Sequence, residues 1–283
     1  MAFLLTEPHP MTLGIIAGGG PLPGQVALAA LAAGRGVFVV ALEGYADLRV
    51  VGGFPHEVVR LGAVGVAVAA LRRAGCVDLV LAGPVKRPSL LDLRPDAVGA
   101  RLLARVGRAA FAGDDGFLAA IVRVLGEEGF RVLGAHEVMA EVLAPAGLLT
   151  RVGPDAAALA DIARGVAVVR AMGVADVGQA CVVQQGIVLA VEAVEGTDAM
   201  LDRAAALARP GPGGVLVKLV KPGQDRRADL PTLGPATIAG AREAGLRGVA
   251  FEALGAIFIE RAAMVASADA GGVFLLGIDP TSV

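Results

Sequence analysis

The most polar stretch of the chain runs from Lys221 to Pro235. It contains the highest density of side chains that could bind a metal ion, bind a phosphate or activate water. Asp225 and Asp229 could bind Mg²⁺ or position a water molecule, because hard cations prefer carboxylate oxygens. Arginines nearby could clamp a pyrophosphate through paired hydrogen bonds. The alternative is a solvated connector whose charges pair with one another. The candidate substrate contacts here are Lys221, Gln224, Arg226, Arg227 and Thr232.

A second polar cluster, Glu192–Asp198, ends a predicted strand and opens a predicted helix. In one interpretation Thr197 caps that helix and Asp198 lies in its first turn, a common structural arrangement. In the other, Glu195 and Asp198 are metal or substrate ligands and Thr197 contacts the substrate. The residues alone leave both interpretations open.

Lysine is scarce in this chain, which has 25 basic residues. Only Lys86, Lys218 and Lys221 are lysines, and all three flank loop motifs. A compact ammonium suits a phosphate as a point charge, so we expect the three lysines to contact phosphate. The alternative is that they are chance survivors on solvated loops.

A glycine-rich turn follows the first predicted strand, with Gly18, Gly19 and Gly20 before Pro23-Gly24. Glycines let backbone N–H groups approach a phosphate, and the helix that follows favours negative charge. The turn is close to the dinucleotide fingerprint but departs from it at the third glycine, and Glu43 stands where a ribose-binding acid would. The alternative is a tight strand-to-helix turn that touches no ligand.

Composition excludes several classes of protein. The net charge is −2 and aromatic residues make up 4% of the chain, so nucleic acid is not an expected partner. His9, His56 and His136 are scattered and form no metal-binding motif, and His136 alone is better explained as a structural residue than as a catalyst. Cys76 and Cys181 form no CxxC pair and indicate buried thiols in a reducing compartment.

The 283 residues are 55% hydrophobic and 18% charged, with a mean hydropathy of +0.70. No run of about 20 apolar residues exists, so the apolar surplus predicts packed α/β cores and no membrane span. Residues 1–10 resemble no secretory signal and are predicted to be a disordered extension, which places the protein in the cytoplasm.

Strands and helices alternate along the chain, which favours α/β domains with mostly parallel sheets. We predict a Rossmann-like N-terminal domain over residues 1–134 and a second, C-terminal α/β catalytic domain over 135–283. The predicted strands are Thr12–Ala17, Gly36–Leu42, Val77–Ala82, Phe130–Leu133, Ala180–Gln184, Ile187–Ala193, Val215–Val220, Gly248–Phe251, Ala256–Phe258 and Val273–Leu276. The predicted helices are Gln25–Ala33, Val64–Ala74, Ala97–Arg108, Asp115–Gly126, Asp155–Met172, Thr197–Leu207 and Pro235–Ala244.

Taken together, several segments resemble one known family. GIIAGGGPLP, GAHEV, DVGQACVVQQGIVLAVEAVEGTDAML and LVKLVKPGQDRRADLPTLGPATI are similar to the LpxI-type UDP-2,3-diacylglucosamine pyrophosphatases. The similarity covers nearly the whole chain after Met11. The EGTDAML and QDRRADLPTLGP blocks are specific to the family, whereas the glycine turn is not.

The resemblance implies hydrolysis of UDP-2,3-diacylglucosamine to UMP and 2,3-diacylglucosamine 1-phosphate, lipid X, in lipid A biosynthesis of a Gram-negative bacterium. It implies a Mg²⁺-dependent enzyme on the cytoplasmic side of the inner membrane, peripheral to it, with lipid held between two domains and a homodimeric state. The family's essential aspartate corresponds to Asp229. With it, the carboxylates Asp225, Glu195 and Asp198 are the candidate metal ligands.

Two other classes of protein stay open at this point. The turn at Gly18 and the acid Glu43 are compatible with an NAD(P)-dependent Rossmann oxidoreductase. A non-catalytic lipid- or nucleotide-binding carrier would use the same apolar surplus without chemistry.

Overall fold

The computed structural model describes residues 12–85, 94–106 and 113–283. The chain divides into two compact units. Unit 1 runs to Ala140 and takes in the distant segment Asp225–Asp229, whereas unit 2 comprises Glu141–Gln224 and Leu230–Val283. Asp229 is therefore grouped with the N-terminal part of the chain.

Unit 1 is built on a five-stranded parallel sheet with the strand order β3-β2-β1-β4-β5, the order of a Rossmann-like half. Its central strand is almost entirely buried, which explains its unbroken apolar sequence. The strands are β1 Thr12–Ala17, β2 Val37–Leu42, β3 His56–Val59, β4 Cys76–Ala82 and β5 Arg131–Leu133. The helices are α1 Leu22–Ala32, α2 Leu48–Val51, α3 Val64–Arg73, α4 Ala97–Val106, α5 Gly113–Glu127 and α6 Ala135–Val138.

One buried carboxylate ties the strand β4 of unit 1 to its neighbours. Asp78 accepts hydrogen bonds from Arg131 at 2.7 and 2.8 Å and from Arg35 at 2.7 Å. The Arg131 guanidinium, followed by that of Arg35, holds the pKa of Asp78 below its usual value although burial opposes this. The group is fully satisfied within the protein, so we assign it a structural role.

Unit 2 is built on a six-stranded mixed sheet with the order β6-β13-β11-β9-β7-β8. Strands β9, β11 and β13 are parallel, whereas β7 runs antiparallel to both β8 and β9. The strands of this sheet are β6 Gly147–Leu148, β7 Ala180–Gln184, β8 Ile187–Val191, β9 Val215–Lys218, β11 Gly248–Glu252 and β13 Phe274–Ile278. A separate two-stranded parallel sheet is formed by β10 Thr232–Leu233 and β12 Ile257–Phe258. The helices are α7 Ala156–Val174, α8 Gly196–Ala206, α9 Pro235–Glu243 and α10 Arg261–Gly271.

The unit 2 sheet is covered on both faces. Helix α7 packs with Cys181, Val183 and Val217 on one face, whereas the opposite face joins Val182 and Leu216 to a cluster with residues of α8, α9 and α10. The alternation of Val182 and Val183 between the two clusters is the two-residue period of a strand. The inner strands β7, β9 and β11 are buried along nearly all of their length, which explains their largely apolar sequences.

The α/β fold class with a mostly parallel first sheet is confirmed. The predicted hairpin is present, with Gln185 and Gly186 at its turn between β7 and β8. The helix α10 was not predicted, and α1 begins three residues before the predicted Gln25 because prolines are tolerated in a first helical turn.

Candidate functional site

The glycine turn of unit 1 is pressed against the loop that follows β4. Gly18 donates its N–H to Ala82 and Gly19 donates its N–H to Pro84, at 2.8 and 2.9 Å. A side chain at Gly18 would lie 2.5 Å from the carbonyl oxygen of Gly83, so the close backbone approach requires glycine.

This packing limits what the turn can offer to a phosphate. Two of its amides already donate to protein carbonyls, and Pro21 and Pro23 at the start of α1 carry no N–H. Gly20, which has a φ of +73°, completes the turn. Substrate binding by Gly18, Gly19 and Gly20 stays a prediction. For Gly18, the close packing is by itself a structural reason for glycine. Lys86 lies outside the described residues.

In unit 2, polar side chains gather where the parallel strands end. Lys218 is the last residue of β9, Glu192 directly follows β8, and Glu252 ends β11. Because β8, β9 and β11 run in the same direction, these residues share one edge of the sheet, which we call the carboxyl edge. Ligands of open α/β sheets bind outside this edge.

Lys218 and Glu192 are joined through a hydroxyl at the carboxyl edge. The Lys218 ammonium donates to Thr197 Oγ1 at 2.7 Å, and Thr197 donates to Glu192 Oε1 at 2.5 Å. Helix α8 begins at Gly196 after Glu195, and the Thr197 side chain does not cap it, so the capping interpretation is wrong. Asp198 lies in the first turn of α8, as predicted.

Lys221 is neutralised within unit 2. Its ammonium lies 2.6 Å from Asp176 Oδ1, and both Lys221 and Gln224 are buried. Gln224 accepts a hydrogen bond from the Lys221 backbone N–H through its side-chain oxygen. Thr232 lies on β10, and its hydroxyl donates to the Leu230 carbonyl. These contacts show structural roles for Lys221, Gln224 and Thr232. Their contact with a substrate stays a prediction.

Glu195 pairs with Arg203 across the first turns of α8. A hydrogen bond from its own backbone lowers the pKa of Glu195 most, and Arg203 adds to the effect. The pair occupies the Glu195 carboxylate, so this residue is a weaker metal ligand than its sequence position suggested.

The segment Asp225–Asp229 forms a tight turn in unit 1. The Arg227 guanidinium donates hydrogen bonds to both carboxylate oxygens of Asp225, at 2.9 and 2.7 Å. This ion pair holds the pKa of Asp225 below its usual value. The backbone N–H groups of Ala228 and Asp229 donate to the Asp225 carbonyl. Ala228 packs against the core of unit 1. Arg226 is exposed, and Asp229 is partly buried.

His136 lies beside this segment in unit 1. Its ring is packed against Gly134, and a side chain added at Gly134 would also lie 3.1 Å from the Arg226 carbonyl oxygen. Burial lowers the pKa of His136 most, Arg226 lowers it further, and Glu137 opposes both. Its Nδ1 is buried with no hydrogen-bond partner among the described residues.

Metal ligands do not cluster in the part of the chain that the structure describes, where no three His, Cys, Asp or Glu residues stand together. Mg²⁺ commonly needs only one or two carboxylates when substrate phosphates supply the other ligands. Among the described helices, none is long and apolar enough to cross a membrane.

The fold and the polar residues define a class of protein, a two-unit α/β protein whose second sheet carries buried lysines at and just beyond its carboxyl edge. Family models extend this observation: residues 12–142 match the LpxI N-terminal domain and residues 145–276 match the LpxI C-terminal domain. The chain therefore belongs to the LpxI family. It is 44% identical over 274 residues to the UDP-2,3-diacylglucosamine pyrophosphatase LpxI of Caulobacter vibrioides, covering 95% of this chain and 98% of that protein.

Proposed function

We propose that this chain hydrolyses the pyrophosphate of UDP-2,3-diacylglucosamine and releases UMP and 2,3-diacylglucosamine 1-phosphate, a step of lipid A synthesis. The observation that carries the proposal is the similarity, over 95% of the chain, to the UDP-2,3-diacylglucosamine pyrophosphatase LpxI of Caulobacter vibrioides. We further propose that the enzyme works as a homodimer at the surface of the inner membrane, where its substrate resides.

Asp229 is the proposed catalytic carboxylate. Asp225, the other aspartate of the loop, is bound on both oxygens by Arg227, which makes it a poor metal ligand or base. Asp225 instead shapes the turn that presents Asp229, because its carbonyl accepts the backbone N–H groups of Ala228 and Asp229. Asp229 would orient the attacking water or hold Mg²⁺ together with phosphate oxygens. The ion, when bound, neutralises charge on the departing phosphate.

Lys218 is the proposed phosphate contact of unit 2. It is 6% exposed, and in the described part of the chain its ammonium meets a hydroxyl and no carboxylate. A buried ammonium without a direct counter-ion is stabilised by an anionic ligand, whereas Lys221 already has Asp176. In phosphoryl transfer such cations contribute positioning and electrostatic stabilisation.

The test is release of UMP from UDP-2,3-diacylglucosamine by the purified full-length chain with Mg²⁺, and its loss on addition of EDTA. We expect Asp229→Asn to lower kcat by roughly 100-fold or more, as losses of transition-state contacts do. Asp202→Asn, an exposed change on α8, is the matched control and should keep wild-type turnover. Binding of UDP-2,3-diacylglucosamine without release of UMP would indicate a carrier, and binding of NAD(H) without release would indicate an oxidoreductase.

A further inference from the structure

The carboxyl edge of unit 2 contains a buried chain of three side chains, Lys218, Thr197 and Glu192. Lys218 and Glu192 are each 6% exposed, although both are charged groups that rarely leave water. The contacts are short, 2.7 Å from the ammonium to the hydroxyl and 2.5 Å from the hydroxyl to the carboxylate. The charges therefore balance through a hydroxyl and not by direct contact.

The hydrogen-bond directions in this chain are fixed by chemistry. An ammonium can only donate and an ionised carboxylate can only accept, so the single proton of the Thr197 hydroxyl must point to Glu192. Its lone pair then faces Lys218. Glu192 is committed on its second oxygen as well, because Oε2 accepts the backbone N–H of Gln179 at 3.2 Å.

The ammonium of Lys218 keeps donor capacity that the protein does not use. Nζ carries three N–H groups, and within the described residues one of them is bonded, to Thr197. The other titratable groups near this edge have their own contacts: Glu252 accepts the backbone N–H of Val220, and Lys221 pairs with Asp176. Lys218 is thus a buried cation held from one side, with donors left for an anion.

We propose that Glu192, acting through the Thr197 hydroxyl, is a positioning residue that fixes the Lys218 ammonium for contact with the substrate pyrophosphate. The proposal rests on the proposed function. Glu192 touches no substrate in this arrangement, and Thr197 is a positioning residue as well. Fixing a flexible four-carbon side chain before the substrate binds avoids an entropic cost at the moment of reaction.

The kinetic test compares three variants of the full-length enzyme with Mg²⁺ and UDP-2,3-diacylglucosamine. Thr197→Val keeps the shape and removes the hydroxyl, and Glu192→Gln leaves one acceptor where two are needed. We expect each to lower kcat/KM by roughly 10- to 100-fold, the effect of losing a hydrogen bond to a charged group, with kcat falling more than KM rises. Thr197→Ser should retain activity within about threefold because the hydroxyl is kept.

The matched control is Glu57→Gln, since Glu57 forms an ion pair with Arg73 in unit 1. It should keep wild-type kcat and KM. Equal activity of Thr197→Val and the wild type, or equal loss in Thr197→Ser and Thr197→Val, would overturn the proposal.

A second readout does not depend on turnover. The chain has three lysines, so ¹³Cε-labelled lysine gives an NMR spectrum with few signals, and Lys218→Arg assigns the one of interest. We expect two resolved ε-proton resonances for the fixed Lys218, a shift on addition of UDP, and averaging of the pair in Thr197→Val. A single averaged resonance in the wild type contradicts the positioning role. If the wild type shows the two resolved Lys218 resonances but releases no UMP, the proposed enzymatic function is refuted and the positioning of Lys218 is not.

Discussion

The two described lysines differ in how their charge is balanced, and this difference can be measured. Lys221 lies 2.6 Å from Asp176, with 9% and 23% of the two side chains exposed. Lys221→Met leaves a partly buried carboxylate without this partner and should lower the free energy of unfolding by about 2 kcal/mol, less than for a fully buried pair. Urea denaturation measures it.

Lys221→Met combined with Asp176→Asn provides the control for this pair. If the two groups stabilise each other, the double variant loses less stability than the two single variants together. A loss below about 0.5 kcal/mol for Lys221→Met would show that the pair is not structural.

Both cysteines are predicted to be unreactive in the folded protein. Burial raises the pKa of Cys181 to about 12 and that of Cys76 to about 11, so neither forms appreciable thiolate near neutral pH. A thiol reagent at about pH 8 should modify neither residue until guanidinium chloride unfolds the chain. Rapid modification of one thiol in the native protein would contradict the buried positions.

At the scale of elements, one carboxylate of α7 stabilises the turn between β7 and β8. Asp161, which is 2% exposed, accepts the backbone N–H groups of Gln185 and Gly186 at 3.1 and 2.7 Å. Both turn residues have positive φ, +55° and +76°, as a two-residue hairpin requires. Asp161→Ala should therefore cost about 2–4 kcal/mol in unfolding free energy, because two amides lose their acceptor.

The measurement for Asp161→Ala is chemical denaturation together with amide exchange at Gln185 and Gly186. Exposed Asp202→Ala is the control and should change stability by less than about 0.5 kcal/mol. Unchanged exchange at the two turn amides in Asp161→Ala would show that the carboxylate does not hold the turn.

The sequence predicted the elements whose signals are local. Apolar runs and glycine punctuation located β1, β2, β4 and the β7–β8 hairpin within one or two residues. Helix α10 was missed because its start carries no capping side chain, and Glu260 before it has a φ of +49°. Glu192 escaped the site prediction because Lys218, to which Thr197 links it, is 26 positions away. Its position near the end of a predicted strand was a usable signal.

In the whole molecule, the boundary between the two units does not fall at a single point in the sequence. Asp225–Asp229 belongs to unit 1 although unit 2 flanks it on both sides. The polar loop Lys221–Pro235 is continuous in sequence with the predicted C-terminal domain and was therefore assigned to it. No local pattern could have shown that Ala228 packs against the core of unit 1. Only non-local contacts separate Asp229 from its sequence neighbour Leu230.

His136 couples the stability of unit 1 to pH through this segment. Burial lowers the pKa of His136 in the folded chain, and Arg226 adds to this although Glu137 opposes it, whereas the pKa of the unfolded side chain is about 6.5. The neutral ring is therefore favoured by folding, and stability present above about pH 6.5 is lost as the pH falls toward the folded pKa. His136→Gln cannot be protonated, so its unfolding free energy should fall less between about pH 7.5 and 5.5.

The measurement is urea denaturation across that pH range, where Asp225 contributes little because its lowered pKa lies well below the range. His56→Gln, exposed at the start of β3, is the matched control and should follow the wild type. Parallel curves for His136→Gln and the wild type would show that the segment carrying Asp229 is held without regard to the charge of His136.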